Sequence, residues 1–143
     1  MEYSKQAHCL YYARYHIVFV TKYRRKVLKQ GMGAYLCTVM RAIEKYYPDI
    51  QIHTLNTDED HIHLCLTIPP RLSVSKAVNL LKTNSSHAMH RKFPFLKTMY
   101  QHENMALWST GYFVSTVGIN EEVIKKYIEH QGKEDEGQVR LVL

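Results

Sequence analysis

Hydrophobic and polar positions alternate along DHIHLCLTI, residues 60–68. A period of two puts Ile62, Leu64, Leu66 and Ile68 on one face of a strand and His61, His63, Cys65 and Thr67 on the other. The apolar face packs on a core. The histidine face calls for another explanation. Upstream, YYARYHIVFVT (residues 11–21) is rich in aromatic and β-branched residues and predicts a first strand. GAYLCTVMRAIEKYY (33–47) carries Leu36, Val39, Met40 and Ile43 at helical spacing, and Pro48 closes it. IQIHTLNT (50–57) predicts a second strand, joined to the histidine strand through Asp58-Glu59-Asp60 as a hairpin.

Pro69 and Pro70 end the histidine strand. Ser73 or Ser75 caps a second helix through SKAVNLLKTNSSHAMHRKF (75–93), with Ala77, Leu80 and Leu81 as its apolar stripe. ALWS (106–109) and YFVSTVG (112–118) predict two short strands around Thr110 and Gly111. Asn120 caps a last helix, EEVIKKYIEHQ, and Gly132 is expected to stop it, so the helix covers about 120–131 and a tail covers 132–143. The order β-α-β-β-α-β, with one extra strand and a final helix, predicts an α+β, ferredoxin-like split βαβ fold. Two helices then cover one face of an antiparallel sheet.

The 143 residues suit a single domain, 1–143, with a real core. Hydrophobic residues make up 45% and charged residues 22%, an ordinary globular composition. A net charge of +6 favours a polyanionic partner, most often nucleic acid. Cys9, Cys37 and Cys65 are far apart and form no Cys-x-x-Cys, so neither a zinc ribbon nor a disulfide framework is indicated, and free thiols fit a reducing cytoplasm. Glu2, Lys5, Arg14 and His16 precede any sizeable apolar run, which does not suit a signal peptide. No stretch approaches ~18 apolar residues, so no membrane span is expected.

Residues two apart on a strand stand about 6.5–7 Å from each other on one face, so His61 and His63 can converge on one ion. Two ligands are too few for a tight site; a third must come from elsewhere. The pair alone fits half-exposed histidines without a ligand equally well. On the last helix, Val123, Tyr127 and Gln131 share a stripe with Ile124 and Ile128 beside it, and Lys125, Lys126 and Glu129 lie opposite. That stripe faces protein and brings a phenol and an amide with it. A core aromatic and a damp helix end would leave the same pattern. Two basic groups, Lys22, Arg24, Arg25, Lys26 and Lys29, then Lys76, Lys82, His87, His90, Arg91 and Lys92 on and after the second helix, are candidate phosphate contacts, with Lys82, Arg91 and Lys92 foremost in the second. Eleven tyrosines offer stacking surface for unpaired bases, although Tyr35, Tyr46 and Tyr47 around the first helix are expected to pack.

RYHIVFVTKYRRKVL, DEDHIHLCL and GYFVSTVG followed by EEVIKKYIEHQ together resemble the small single-tyrosine HUH transposases of the insertion sequence 200/605 family, where HUH stands for histidine, hydrophobic residue, histidine. The resemblance runs from about residue 11 to 131. It implies that His61 and His63 are metal ligands, that Tyr127 is the nucleophile, and that Gln131 supplies the third ligand to Mg²⁺ or Mn²⁺. It places the tyrosine-bearing helix on the histidine face. Separately, the Asp60 carboxylate, next to His61 in the sequence, is a candidate to support that ring. The resemblance further implies single-stranded DNA with hairpins at element ends as substrate, cleavage through a 5′-phosphotyrosine, and a homodimer whose subunits share active sites; the expected location is cytoplasmic, and nucleoid-associated when bound to DNA. Three other readings stay open: a domesticated relative acting on chromosomal repeat hairpins, a non-catalytic ferredoxin-like single-strand-binding module, and a metallohydrolase using water in place of Tyr127.

Overall fold

The strand Arg14–Val20 pairs along its whole length with the strand His61–Thr67, from Arg14 opposite Thr67 to Val20 opposite His61. Directly opposed residues share a face. Ile17 with Leu64, and Phe19 with Ile62, therefore point the same way, and all four are fully buried. In this computed structural model, residues 3–6, 8–99 and 106–142 are described, with side chains of the last helix described through 137. The elements in chain order are β1 (Ser4–Gln6), β2 (Cys9–Tyr11), β3 (Arg14–Val20), a 3-10 turn (Lys22–Arg24), α1 (Gly31–Tyr46), β4 (Gln51–Thr57), β5 (His61–Thr67), α2 (Val74–Lys92), α3 (Phe95–Met99), β6 (Phe113–Ser115) and α4 (Glu121–Val142).

The main sheet has the order β4-β5-β3-β6 and is antiparallel throughout. With α1 and α2 as the crossovers, this is the ferredoxin-like split βαβ arrangement. Helix α1 buries Leu36, Val39, Met40 and Ile43, and α2 buries Ala77, Val78, Leu81 and Met89, all in one cluster with the inward face of the sheet. The Ser73 side chain accepts the Lys76 N–H at 3.2 Å and caps α2. On the other face of the sheet stand His16, Val18 and Val20 of β3, His61 and His63 of β5, and Phe113 of β6.

The structure adds a short helix, α3, and trims the strand expected over 112–118 to β6, and it departs from the sequence reading in four further places. A small hairpin, β1 with β2, precedes the main sheet. The strand expected at 106–109 shrinks to one bridge, Trp108 with Thr21. Trp108 is held there by its core contacts: its indole N–H donates to Ser85 Oγ at 2.9 Å, and its ring meets Phe19 edge-on at 4.7 Å. Tyr35 packs edge-on against Phe93, but Tyr46 is 82% exposed and Tyr47 is exposed too, since they leave the buried side of α1 at its end. Helix α4 does not stop at Gly132 but continues to Val142. The apolar end of the expected tail falls on side chains outside the described ones. Among the described residues, no helix is long and apolar enough to cross a membrane.

Leu64 backs the strand that carries both histidines. Leu64→Ala should destabilise the protein by about 2–5 kcal/mol in urea unfolding, whereas Val117→Ala, at a surface position, should change the midpoint little.

Candidate active site

Core packing of Ile62 and Leu64 turns His61 and His63 outward. They face a cleft of about 760 Å³, whose other walls include Asn56 on β4, Arg24, and Ile124 and Ile128 on α4. Asp60 Oδ1 lies 2.9 Å from His61 Nδ1, and the Arg24 guanidinium lies 3.7 Å from the same carboxylate. The His61 hydrogen bond pulls the Asp60 carboxyl below its ordinary value, helped by the charges of His61 and Arg24 and opposed by burial. A carboxylate on Nδ1 steers the ring and leaves Nε2 as the free nitrogen, a common arrangement for imidazoles that bind metal. His63 Nε2 is 3.4 Å from His16 Nδ1. Burial above all, then the neighbouring His16 and His61, lowers the His63 pKa, which favours the neutral, ligand-competent ring.

These donors fit part of a divalent-cation site. Among the described residues, no group of three His, Cys, Asp or Glu side chains gathers to hold a metal. The sheet alone does not complete a ligand set, and any third protein ligand must be of another type, such as an amide oxygen.

Helix α4 starts under the cap of Asn120, whose Oδ1 accepts the Val123 N–H at 3.0 Å, with Glu121 and Glu122 favourably placed in its first turn. It lies across the histidine face of the sheet and buries Ile128. The Tyr127 ring rests on Phe113 of β6, with ring centroids 5.9 Å apart. Its hydroxyl donates to Gln131 Oε1 at 3.4 Å. Both groups press on Gly111, which has φ +92°. A Cβ there would come 3.3 Å from Gln131 Oε1 and 3.9 Å from the Tyr127 hydroxyl, so both backbone angle and space suit glycine. Burial first, and the Asp135 charge second, push the Tyr127 pKa up to about 12.

The next turn of α4 explains why the helix runs on. Gly132 lies against Arg24, and a Cβ would collide with the arginine Cδ. Here glycine serves close approach rather than termination. Asp135, fully buried, then meets the Tyr23 N–H at 2.9 Å, the Ser109 hydroxyl, the Gln131 amide at 3.4 Å and the Lys22 ammonium at 3.7 Å. Continuing the 127, 131 stripe by one turn reaches Asp135; reading Gly132 as a stop hid it.

The structure thus brings His61 and His63 together, and Tyr127 and Gln131 together. Neither Tyr127 nor Gln131 is among the residues that line the described cleft of His61 and His63. The histidine cleft is bordered by Ile124 and Ile128, while Tyr127 and Gln131 lie toward Gly111 and Phe113. The basic residues divide likewise. Lys22 is buried beside Asp135, Arg24 lies along Gly132 and Asp60, and Arg25 donates to the Met99 carbonyl at 2.6 Å. Lys82 donates to the carbonyls of Ser109 and Gly111 at 2.7 and 2.6 Å. Lys26, Lys29, Arg91 and Lys92 are exposed.

The sequence matches the family profile described as "Transposase IS200 like" over residues 9–131. The transposase for insertion sequence element IS200 of Salmonella typhimurium strain LT2 is 37% identical over 129 residues, covering 90% of this chain and 83% of that one. A crystal structure of a protein from Deinococcus radiodurans R1, assigned as a transposase, superposes with a TM-score of 0.79 at 31% identity, covering 90% of this chain and 97% of the other. The REP-associated tyrosine transposase bound to a REP hairpin shares the fold, with a TM-score of 0.53 at 15% identity, over 90% of this chain and 68% of that one.

Lys82 and Tyr127 give opposite pH signatures. Burial above all lowers the Lys82 pKa from 10.5 to about 8, against the raising charge of Asp135. The unfolded chain holds that proton longer, so stability should rise between pH 8 and 10, and Lys82→Met should lose this rise in thermal melts. For Tyr127 the folded pKa near 12 exceeds the ordinary 10.0. Its contribution is complete below pH 10 and is lost between pH 10 and 12, a loss that Tyr127→Phe should not show.

Proposed function

The chain belongs to the IS200-like transposase family, and on that footing we propose that it cleaves and rejoins single-stranded DNA through a covalent bond to Tyr127. The observation that carries the reading is the shared placement of α4 and the histidine pair on one face of the sheet, with the phenol and the Gln131 amide on a single stripe of that helix. In the proposed step the Tyr127 oxygen attacks phosphorus, the bond from phosphorus to the 3′ oxygen breaks, and a proton passes from the phenol side to the departing 3′ hydroxyl. The 5′-phosphotyrosine keeps the bond energy, so a different 3′ hydroxyl can reverse the step without ATP.

His61, His63 and the Gln131 oxygen are the proposed holders of Mg²⁺ or Mn²⁺, which when bound would polarise the phosphate and offset charge that develops on it. Asp60 steers His61 for that task. Tyr127 is strongly biased toward its protonated form in this seat, so the nucleophile must give up its proton as it engages the phosphate.

The proposed assembly is a homodimer in which α4 of one subunit serves the histidine pair of the other. Excision needs two cleavages, and each chain offers one Tyr127. Tyr127 and Gln131 do not line the described histidine cleft, which leaves it open to α4 of a second subunit. The proposed substrate is single-stranded DNA bearing hairpins at element ends. Exposed Lys26, Lys29, Arg91 and Lys92 together with the net charge of +6 suit its phosphates.

Incubation with single-stranded hairpin DNA and Mn²⁺, followed by denaturing electrophoresis, should show a detergent-resistant protein–DNA adduct. Tyr127→Phe should bind the hairpin and form none, and His63→Ala should bind without cleaving. An adduct that persists in Tyr127→Phe, or a free 5′-phosphate with no adduct, overturns the assignment. Lys29→Ala should lower the slope of log affinity against log salt by about 1 or less if that side chain meets a phosphate.

A further inference from the structure

Four donors converge on Asp135, two to each carboxylate oxygen. Oδ2 takes the Tyr23 N–H at 2.9 Å and the Ser109 hydroxyl; Oδ1 faces the Gln131 amide nitrogen at 3.4 Å and Lys22 Nζ at 3.7 Å. The carboxylate is fully buried, where an unpaired charge would be very costly. The surroundings are shaped to receive it. Tyr23 and Arg24 adopt left-handed backbone angles, φ 59° and 54°, although neither is glycine, and this bend aims the Tyr23 amide at Asp135. Gly132 lets α4 descend onto Arg24 so that Asp135 reaches the socket.

The socket has a consequence for Gln131. An amide side chain can present either its oxygen or its nitrogen, and the surroundings decide which. With an acceptor-only carboxylate 3.4 Å away, the reversed amide would set two oxygens lone pair against lone pair. We propose that Asp135 is a positioning residue for the tyrosine helix: it seats α4 in a donor-lined socket of Lys22, Tyr23 and Ser109, and fixes the Gln131 carboxamide with its oxygen toward Tyr127. This rests on the reading of Tyr127 and Gln131 as working residues. Tyr127, Gln131 and Asp135 stand on one helix at intervals of four, so the ladder is complete wherever that helix is seated in such a socket. The oxygen, rather than the nitrogen, is then always the atom offered to a phenol or to a hard cation.

Asp135→Asn tests this at nearly constant shape. Asparagine has one acceptor oxygen for four donors. With that oxygen kept by Tyr23 and Ser109, its NH₂ confronts the Gln131 nitrogen, and the Gln131 carboxamide should invert. The readout is the Gln131 side-chain NH₂ pair in ¹⁵N spectra, assigned by its loss in Gln131→Glu. In the unaltered protein the pair should exchange slowly with solvent; in Asp135→Asn it should shift and exchange at least ten-fold faster, while backbone signals of the sheet stay in place. Adduct formation should fall at least five-fold with hairpin affinity unchanged. Should Asp135→Asn fail to fold, Ser109→Ala, which removes one donor and leaves Gln131 untouched, should show the same exchange effect in weaker form. Unchanged Gln131 NH₂ signals in the folded variant overturn the proposal. If the unaltered protein forms no adduct, the proposed activity fails, and the spectra still judge the socket.

Discussion

Seven paired positions between β3 and β5 carry the architecture of the site, because a strand has only two faces and one of them is committed to the core. Ile62 and Leu64 pack with Phe19 and Ile17, and the same pairing sends His61 and His63 to the opposite side beside Val20 and Val18. A slip of one residue would exchange the two sets, putting isoleucine and leucine in the cleft and imidazoles in the core. The hydrophobic layer under the sheet therefore aims the histidines, and α1 and α2 support the histidine cleft without lining it.

A second constraint acts through three residues at the approach to β6. The carbonyls of Ser109 and Gly111 receive Lys82 from α2, while the Ser109 hydroxyl binds Asp135 from α4. Helices on opposite faces of the sheet thus meet through one short length of backbone. Gly111 ends that length in a conformation few other residues adopt, directly under the phenol and the amide. The position of Tyr127 is set as much by this loop as by its own helix.

Much of this was legible in the sequence because local periodicity and the tertiary fold agree. The alternation in 60–68, the Ser73 and Asn120 caps, and the order of strands and helices all describe features that short-range physics decides. The exposed faces of Lys125, Lys126 and Glu129 follow the helical period as well. What was hidden depends on contacts distant in the chain. Gly132 carries the signature of a helix stop, and only the Arg24 side chain, more than a hundred positions earlier, shows that it is a point of contact. Lys22 reads as one more surface cation until Asp135 is found beside it. Asp135 itself looks like part of a solvated acidic run, KEDE. Trp108 looks like strand, but a core serine and a phenylalanine ring decide its place. The relation between Tyr127 and the histidines is likewise absent from periodicity, which says which way a side chain leaves its helix and not where the helix lies.

Glycine at 132 and again at 137 gives the C-terminal half of α4 a weak intrinsic taste for helix, about 1 kcal/mol poorer than alanine at each. The winding of that half is borrowed from the surface it rests on. Lifted from its berth, α4 would keep the turns between Asn120 and Gln131, with their cap and acidic start, and unravel beyond them. Attachment and coiling of that half are then one event: the turns that carry Asp135 and the contacts it makes form and are lost together.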